Sequence, residues 1–133
     1  MVVSSGILAL NFLKTDQLDI IGDFGLVSGH DKDKLQGVAT TSGKSGSPLL
    51  TDCFGYLDCR VINAMDGGDM TCFLADVLDG KTIAEGEPLR WRDARRKMPP
   101  EWLERWEKKQ SSEIATSRAT MGKIIHTPWE RSK

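Results

Sequence analysis

The clearest pattern in the chain is an alternation of apolar and polar positions between residues 54 and 80. Leu57, Cys59 and Val61 are apolar, and Asp58 and Arg60 between them are charged. This period of two predicts a strand over residues 54–63 with one buried face. A turn containing Gly67 and Gly68 follows, and then a second run over residues 71–78. Here Thr71, Phe73, Ala75 and Val77 oppose Cys72, Leu74, Asp76 and Leu78. Both faces of that run are largely apolar, which predicts a central strand. The short connection permits an antiparallel hairpin.

Upstream, residues 6–13 are a short apolar run bounded by Gly6 and Lys14, read as a buried strand. Leu18, Ile21 and Phe24 recur at three-residue spacing, so residues 16–24 are expected to form a short amphipathic helix. Thr15 is the expected N-cap and Gly25 the expected left-handed C-cap. One helical turn is expected around residues 31–35. Residues 40–47 are rich in glycine and hydroxyls. Gly43, Lys44 and Ser45 repeat the last residues of a phosphate-binding loop, but the upstream glycine of that motif falls on Val38 and no long helix follows. The stretch therefore reads as a flexible connector. Pro48 suits the first position of a strand, and Leu49 and Leu50 are expected to anchor the loop on the core.

Downstream, residues 82–84 and 88–91 read as one broken edge strand, because Pro88 is admissible only at an edge. Residues 92–97 are basic. Pro99 and Pro100 mark a break, after which residues 100–117 read as an exposed helix with Pro100 in its first turn. Glu101 with Arg105 and Glu104 with Lys108 stand at i,i+4 in the favourable order. Trp102 and Trp106 share a face. So narrow an apolar stripe needs a surface to dock on, in this domain or a sister subunit; a lid over a cofactor is the lesser alternative. Residues 121–133 carry little pattern and are expected to be extended or loosely held. The chain divides on this reading into a body, residues 1–92, and a helical extension with tail, residues 93–133.

The totals narrow the classes. The 133 residues suit one domain, and 39% hydrophobic with 28% charged residues suits a folded chain. With 18 basic and 19 acidic residues, there is no electrostatic case for nucleic acid or an anionic membrane as partner. No apolar run approaches the ~20 residues that span a bilayer. The first residues lack the basic start of a secretory signal. Cys53, Cys59 and Cys72 form no C-x-x-C pair, and their odd number fits a reducing, cytoplasmic setting. Cys59 and Cys72 are expected to be small core residues. No zinc motif is present, and Asp31 and Asp33 alone do not make a metal cluster.

At the hairpin the sequence resembles a known family. Leu57, Cys59, Arg60 and Val61, followed by Gly68, Asp69, Met70, Thr71, Phe73 and Val77, resemble the late barrel strands of the flavin reductase-like, FMN-binding split-barrel family. That family carries leucine-x-cysteine-arginine-valine and then glycine-aspartate-histidine-threonine. Asn11 in residues 6–13, the helix at 17–25, the segment from Ser28 through His30 to Asp33, Lys34 and Leu35, the run Gly46 to Leu49, and Gly86 to Leu89 resemble further family segments in the same order. The resemblance covers residues 6–91.

It implies a mainly β fold: a split-barrel-like antiparallel barrel with short helices, incomplete at the N-terminus, with a C-terminal helix. Family strands that precede this point are represented here only by Met1 to Ser5, so the barrel is expected to close differently, to borrow strands from a partner, or to expose an edge. The resemblance further implies bound FMN, NAD(P)H as hydride donor, free flavin or another acceptor, and a cytoplasmic homodimer. FMN carries the chemistry in such proteins, and the protein supplies the pocket. His30, Asp33 and Lys34 fall on the segment implied to contact the cofactor; solvated loop charges are the alternative. Met70 stands where the family has its nicotinamide-placing histidine, and methionine donates no hydrogen bond. The alternative function is a non-catalytic split-barrel remnant that serves as a binding module.

Overall fold

The computed structural model describes residues 2–27, 33–67 and 70–123. Its centre is the expected hairpin, and it is longer than the alternation alone predicts. Strand β4 spans Gly55–Asp66 and β5 spans Thr71–Thr82, paired antiparallel from Gly55↔Thr82 to Asp66↔Thr71. Upstream lie a single helical turn, α1 (Val2–Ser5), strand β1 (Ile7–Phe12), helix α2 (Leu18–Gly25), and the short strands β2 (Thr40–Ser42) and β3 (Pro48–Leu50). Downstream lie α3 (Trp91–Lys97) and α4 (Pro100–Thr120), followed by a 3-10 turn, Met121–Lys123.

Strand β1 pairs antiparallel with β4, from Ile7↔Arg60 to Phe12↔Gly55, so the main sheet has the order β1-β4-β5. The central strand is therefore β4, and the expectation for residues 71–78 is corrected: β5 is an edge of this sheet. Apolar residues on both faces of a strand do not say which strands lie beside it. Leu74 and Val77 accordingly stand exposed. Strands β2 and β3 form a separate two-stranded ribbon. The body is mainly β and antiparallel, with a C-terminal helix, and its described strands do not close a barrel.

The alternation on β4 is also corrected. Asp58, read as a residue of the polar face, is fully buried, and its neighbour Cys59 is buried too. Successive strand residues point to opposite faces, so β4 is covered on both faces here. The register slips twice, between Asp58 and Cys59 and between Val61 and Asn63: Leu78 of β5 and Ile62 of β4 have no partner across the ladder, which marks two bulges. Cys53, Leu49, Leu50, Val61, Ala94 and Met98 complete the buried hydrophobic set, and Ser47 is buried with them. Leu49 and Leu50 thus anchor as expected, and Pro48 opens its strand. Cys72 is exposed, contrary to its expected place in the core.

Other local expectations also change. Helix α2 starts at Leu18, with Gln17 rather than Thr15 at the N-cap position. The Gln17 side chain accepts from the Lys14 N–H at 2.8 Å and donates to the Asp52 carbonyl at 2.7 Å, tying the start of α2 to the segment after β3. The Lys14 ammonium reaches Asp52 Oδ1 at 2.8 Å, and this hydrogen bond raises the lysine's pKa. Gly25 lies within α2, and the C-cap is Leu26 in a right-handed conformation. Residues 88–91 are no strand: Pro88 makes one bridge to Lys14, and Trp91 opens α3.

The glycines of α2 serve contact rather than turning. A Cβ on Gly22 would lie 2.6 Å from the Trp102 ring, and one on Gly25 would lie 3.1 Å from Trp106. Helix α4 therefore docks on α2 by setting two indoles against two glycines. Pro100 sits in its first turn, where the missing N–H costs nothing. Trp91 adds a tilted contact to Trp106, with ring centroids 5.2 Å apart. Substitution Gly22→Ala is expected to push Trp102 off its seat and destabilise the protein by about 1–3 kcal/mol. Thermal unfolding followed by circular dichroism checks this; an unchanged midpoint would remove the glycine–indole contact as a source of stability.

Candidate functional site

A groove of about 710 Å³ lies between β1, α2 and β3. Its floor comes from β1, whose Ile7, Ala9 and Asn11 fall at period two on one face. Helix α2 supplies Ile20, Ile21 and Phe24 as one wall; of the predicted apolar face, Ile21 and Phe24 line the groove and Leu18 does not. Gly46, Ser47, Pro48 and Leu50 supply the opposite wall, and Leu35 and Trp106 also line it. The lining is chiefly aliphatic and aromatic, and among the described residues no charged side chain contributes to it.

The wall at Gly46 to Leu50 is held in two places. Asn11 Oδ1 accepts from the Leu50 N–H at 2.9 Å, and Asn11 Nδ2 donates to the Pro48 carbonyl at 3.4 Å. One amide thus stitches β1 to β3. The second anchor is Asp58. Its carboxyl group accepts from the Ser45 N–H at 2.7 Å and from the Ser45 hydroxyl. Ser45 Oγ lies 2.9 Å from Ser47 Oγ and accepts from the Ser47 N–H at 3.1 Å. A Cβ on Gly43 would meet Asp58 Oδ2 at 2.6 Å, so only glycine lets the turn sit this close. Gly46 takes a positive φ of 93° and lets the chain reverse.

Residues 40–50 are therefore a hairpin closed on an internal carboxyl group, not the flexible connector expected from composition. The likeness of Gly43, Lys44 and Ser45 to a phosphate-binding loop has a physical remainder: a backbone N–H of this turn does hold an anion-type group, and that group is Asp58.

The expected site residues separate in space. Lys34 Nζ donates to the Phe24 carbonyl at 2.5 Å, at the end of α2. Asp33 Oδ1 accepts from the Leu35 N–H at 3.1 Å in a local turn. Since Phe24 and Leu35 line the groove, this segment stands at its α2 end. Met70 lies elsewhere, exposed beside the turn between β4 and β5, where its carbonyl accepts from the Gly67 N–H at 2.8 Å; it does not line the groove. His30 lies outside the described residues. Sequence reasoning gave no role to Asp58, and it set Trp106 near a cofactor only as its lesser alternative. The hydroxyl-rich turn at 43–47 was the one local sign that a buried polar partner waited elsewhere.

Cys53 and Cys59 are buried, and burial pushes both thiols above the ordinary range. Neither has the electropositive, accessible setting of a reactive thiol.

Comparison with known proteins gives the arrangement a context. The family model described as the flavin reductase like domain matches residues 1–99. The chain is 34% identical over 85 residues to the reductase subunit HsaB of a flavin-dependent monooxygenase from Rhodococcus jostii, covering 64% of this chain and 42% of that one. It is 28% identical over 94 residues to a ferric-chelate reductase (NAD(P)H) from Archaeoglobus fulgidus, covering 69% and 56%. The chain thus spans about half the length of these curated relatives. Among solved structures, nitrilotriacetate monooxygenase component B from Mycobacterium thermoresistibile superposes with a TM-score of 0.56 at 26% identity, over 64% of this chain and 47% of that one.

Two outcomes are expected at these positions. Asp58→Ala leaves two donors of Ser45 without their acceptor and is expected to cost about 2–4 kcal/mol in urea unfolding; a loss below ~0.5 kcal/mol would mean that the turn closes without it. A thiol reagent at pH 8 is expected to modify Cys72 in the native protein, and Cys53 and Cys59 only after denaturation, as read by mass spectrometry.

Proposed function

Because the chain belongs to the flavin reductase like domain family, we propose that it binds FMN and serves NAD(P)H-dependent flavin reduction. The observation that carries this reading is the groove. Its volume of about 710 Å³ falls in the range of small-molecule sites, roughly 300–1,000 Å³. Its apolar lining suits the flat, largely apolar ring of a flavin. When bound, FMN supplies the redox chemistry, taking hydride from NAD(P)H for delivery to free flavin or another acceptor.

The residues present fit the ring better than the phosphate, since among the described residues no cation lines the groove. The nearest described candidate is Lys34, at the α2 end. In this reading Lys34 exchanges the Phe24 carbonyl for the phosphate, and His30 and Asp33 belong to the same contact segment. Asn11 and Asp58 keep the β3 wall in place, and Trp106 and the aliphatic residues exclude water. Met70 takes the place of the family's histidine at the hairpin tip. Its thioether can pack against a ring, and it offers no proton.

The proposed setting is a cytoplasmic homodimer. The free cysteines suit a reducing compartment, and among the described residues no helix is long and apolar enough to cross a membrane. Exposed Leu74 and Val77 on the β5 edge are surface that a second copy can cover.

A second reading, a non-catalytic binding module, draws on the same observations of Lys34 and Met70. The lysine is already committed to a backbone carbonyl, and the methionine provides no hydrogen bond.

The visible spectrum of the purified protein with saturating FMN separates the two. The reductase reading expects a bound flavin band, shifted or quenched relative to free FMN, and oxidation of NAD(P)H. Absence of binding at saturation would leave the module. Lys34→Gln is expected to weaken FMN binding about tenfold or more by removing a charge-assisted hydrogen bond; equal affinity would remove Lys34 from the site.

A further inference from the structure

One wall of the groove comes from outside the stretch that matches the family. Trp106 lies on α4, beyond residue 99, where that match ends. It lines the groove together with Phe24 and Gly25. Its seat is defined from several sides. Gly25 leaves room for the indole, whose Cζ3 would stand 3.1 Å from a Cβ at that position. The Trp91 ring lies against it at 5.2 Å and 44°. Lys109, three residues further along α4, donates to the Gly25 carbonyl at 3.3 Å. One turn earlier on the helix, Trp102 packs over Gly22.

Helix α4 has little else to hold it. Trp102, Leu103 and Trp106 are half-buried, and nearly all of its other residues are exposed. Such a polar helix draws its stability from docking, and the docking is concentrated where an indole meets the groove. The rest of the lining is mostly aliphatic, with Phe24 as the other aromatic ring.

We propose that Trp106 is a specificity-determining residue of the groove: its indole presents an aromatic wall to a planar aromatic ligand bound between β1 and α2. The C-terminal helix is then part of the binding site. The proposal rests on the reading that the groove takes a flavin ring. It adds that selectivity for an aromatic over an aliphatic occupant comes from α4. Aromatic pairs prefer offset or tilted contact, and the tilted Trp91–Trp106 pair sets the plane that a ligand meets.

The test compares the full-length protein with Trp106→Leu and Trp106→Phe. Each is titrated with FMN and, separately, with the amphiphilic aromatic dye 8-anilinonaphthalene-1-sulfonate. Probe fluorescence and tryptophan emission are both followed, and thermal unfolding reports on the fold. The expected result is that Trp106→Leu binds both probes about two- to tenfold more weakly. Trp106→Phe should restore most of that loss while removing the largest share of the tryptophan quenching.

If the wild type does not bind FMN but binds the dye, and Trp106→Leu weakens the dye, the flavin reading fails and the aromatic wall stands. If both variants keep wild-type affinity for both probes, or if the wild type binds neither, the proposal is overturned. Should Trp106→Leu fail to fold, Trp106→Phe decides alone: undiminished quenching by a bound probe overturns the proposal, and its loss sustains it.

Discussion

The interaction on which the most else depends is the burial of Asp58 under the turn at residues 43–47. A carboxyl group within a sheet face is costly unless its oxygens are satisfied. Here Ser45 satisfies them with its backbone N–H and its hydroxyl. The consequence runs outward. The turn is pinned to β4, so β2 and β3 form a ribbon at a fixed place. Leu49 and Leu50 then reach the core, and Gly46, Ser47, Pro48 and Leu50 become a groove wall. Asn11 fastens the same ribbon to β1. One acid and one amide thus position half of the concavity without lending it any charge.

The other half is built by close approach. Gly22 and Gly25 leave α2 bare on the side that faces α4, and two indoles fill that side. Because packing there is tight, the helix that carries Trp106 cannot drift without losing contact with α2. The strand sheet, by contrast, is left open. Strand β5 shows Leu74 and Val77 to solvent at its edge, and Met65 and Met70 flank the hairpin turn. The chain matches about half the length of its relatives, and its described strands form a sheet and a ribbon rather than a closed barrel. An open edge with apolar residues invites pairing.

Much of this was legible in the residues. The hairpin, the strand at residues 6–13, the amphipathic helix before Gly25, and the helix after Pro99 follow from local periodicity and from proline chemistry. The family could be recognised from the order of short segments around Cys59 and Arg60. The candidate site was less legible. Lys34 reached the groove's end through a bond to the Phe24 carbonyl, which no local pattern encodes. Met70, adjacent to the best-kept motif, lies away from the groove. Gly25 was read as a cap because glycine often ends helices, whereas the approach of Trp106 explains it.

The sequence by itself determined the long strands and the helices α2 and α4, since side-chain period and backbone preference act over a few residues; β2 and α3 were not legible that way. It also carried the family, since that likeness is a matter of residue order. Only the tertiary structure decided which faces are covered. Asp58 is charged by type and lies in an alternating strand, and a local rule sends it to solvent. It is buried because a turn from residues 43–47 meets it and offers two donors. Trp106 lies on a helix that is polar almost throughout, and it becomes a groove wall because two glycines on α2 allow contact. Burial depends on partners distant in sequence, and no local period records where those partners come to rest.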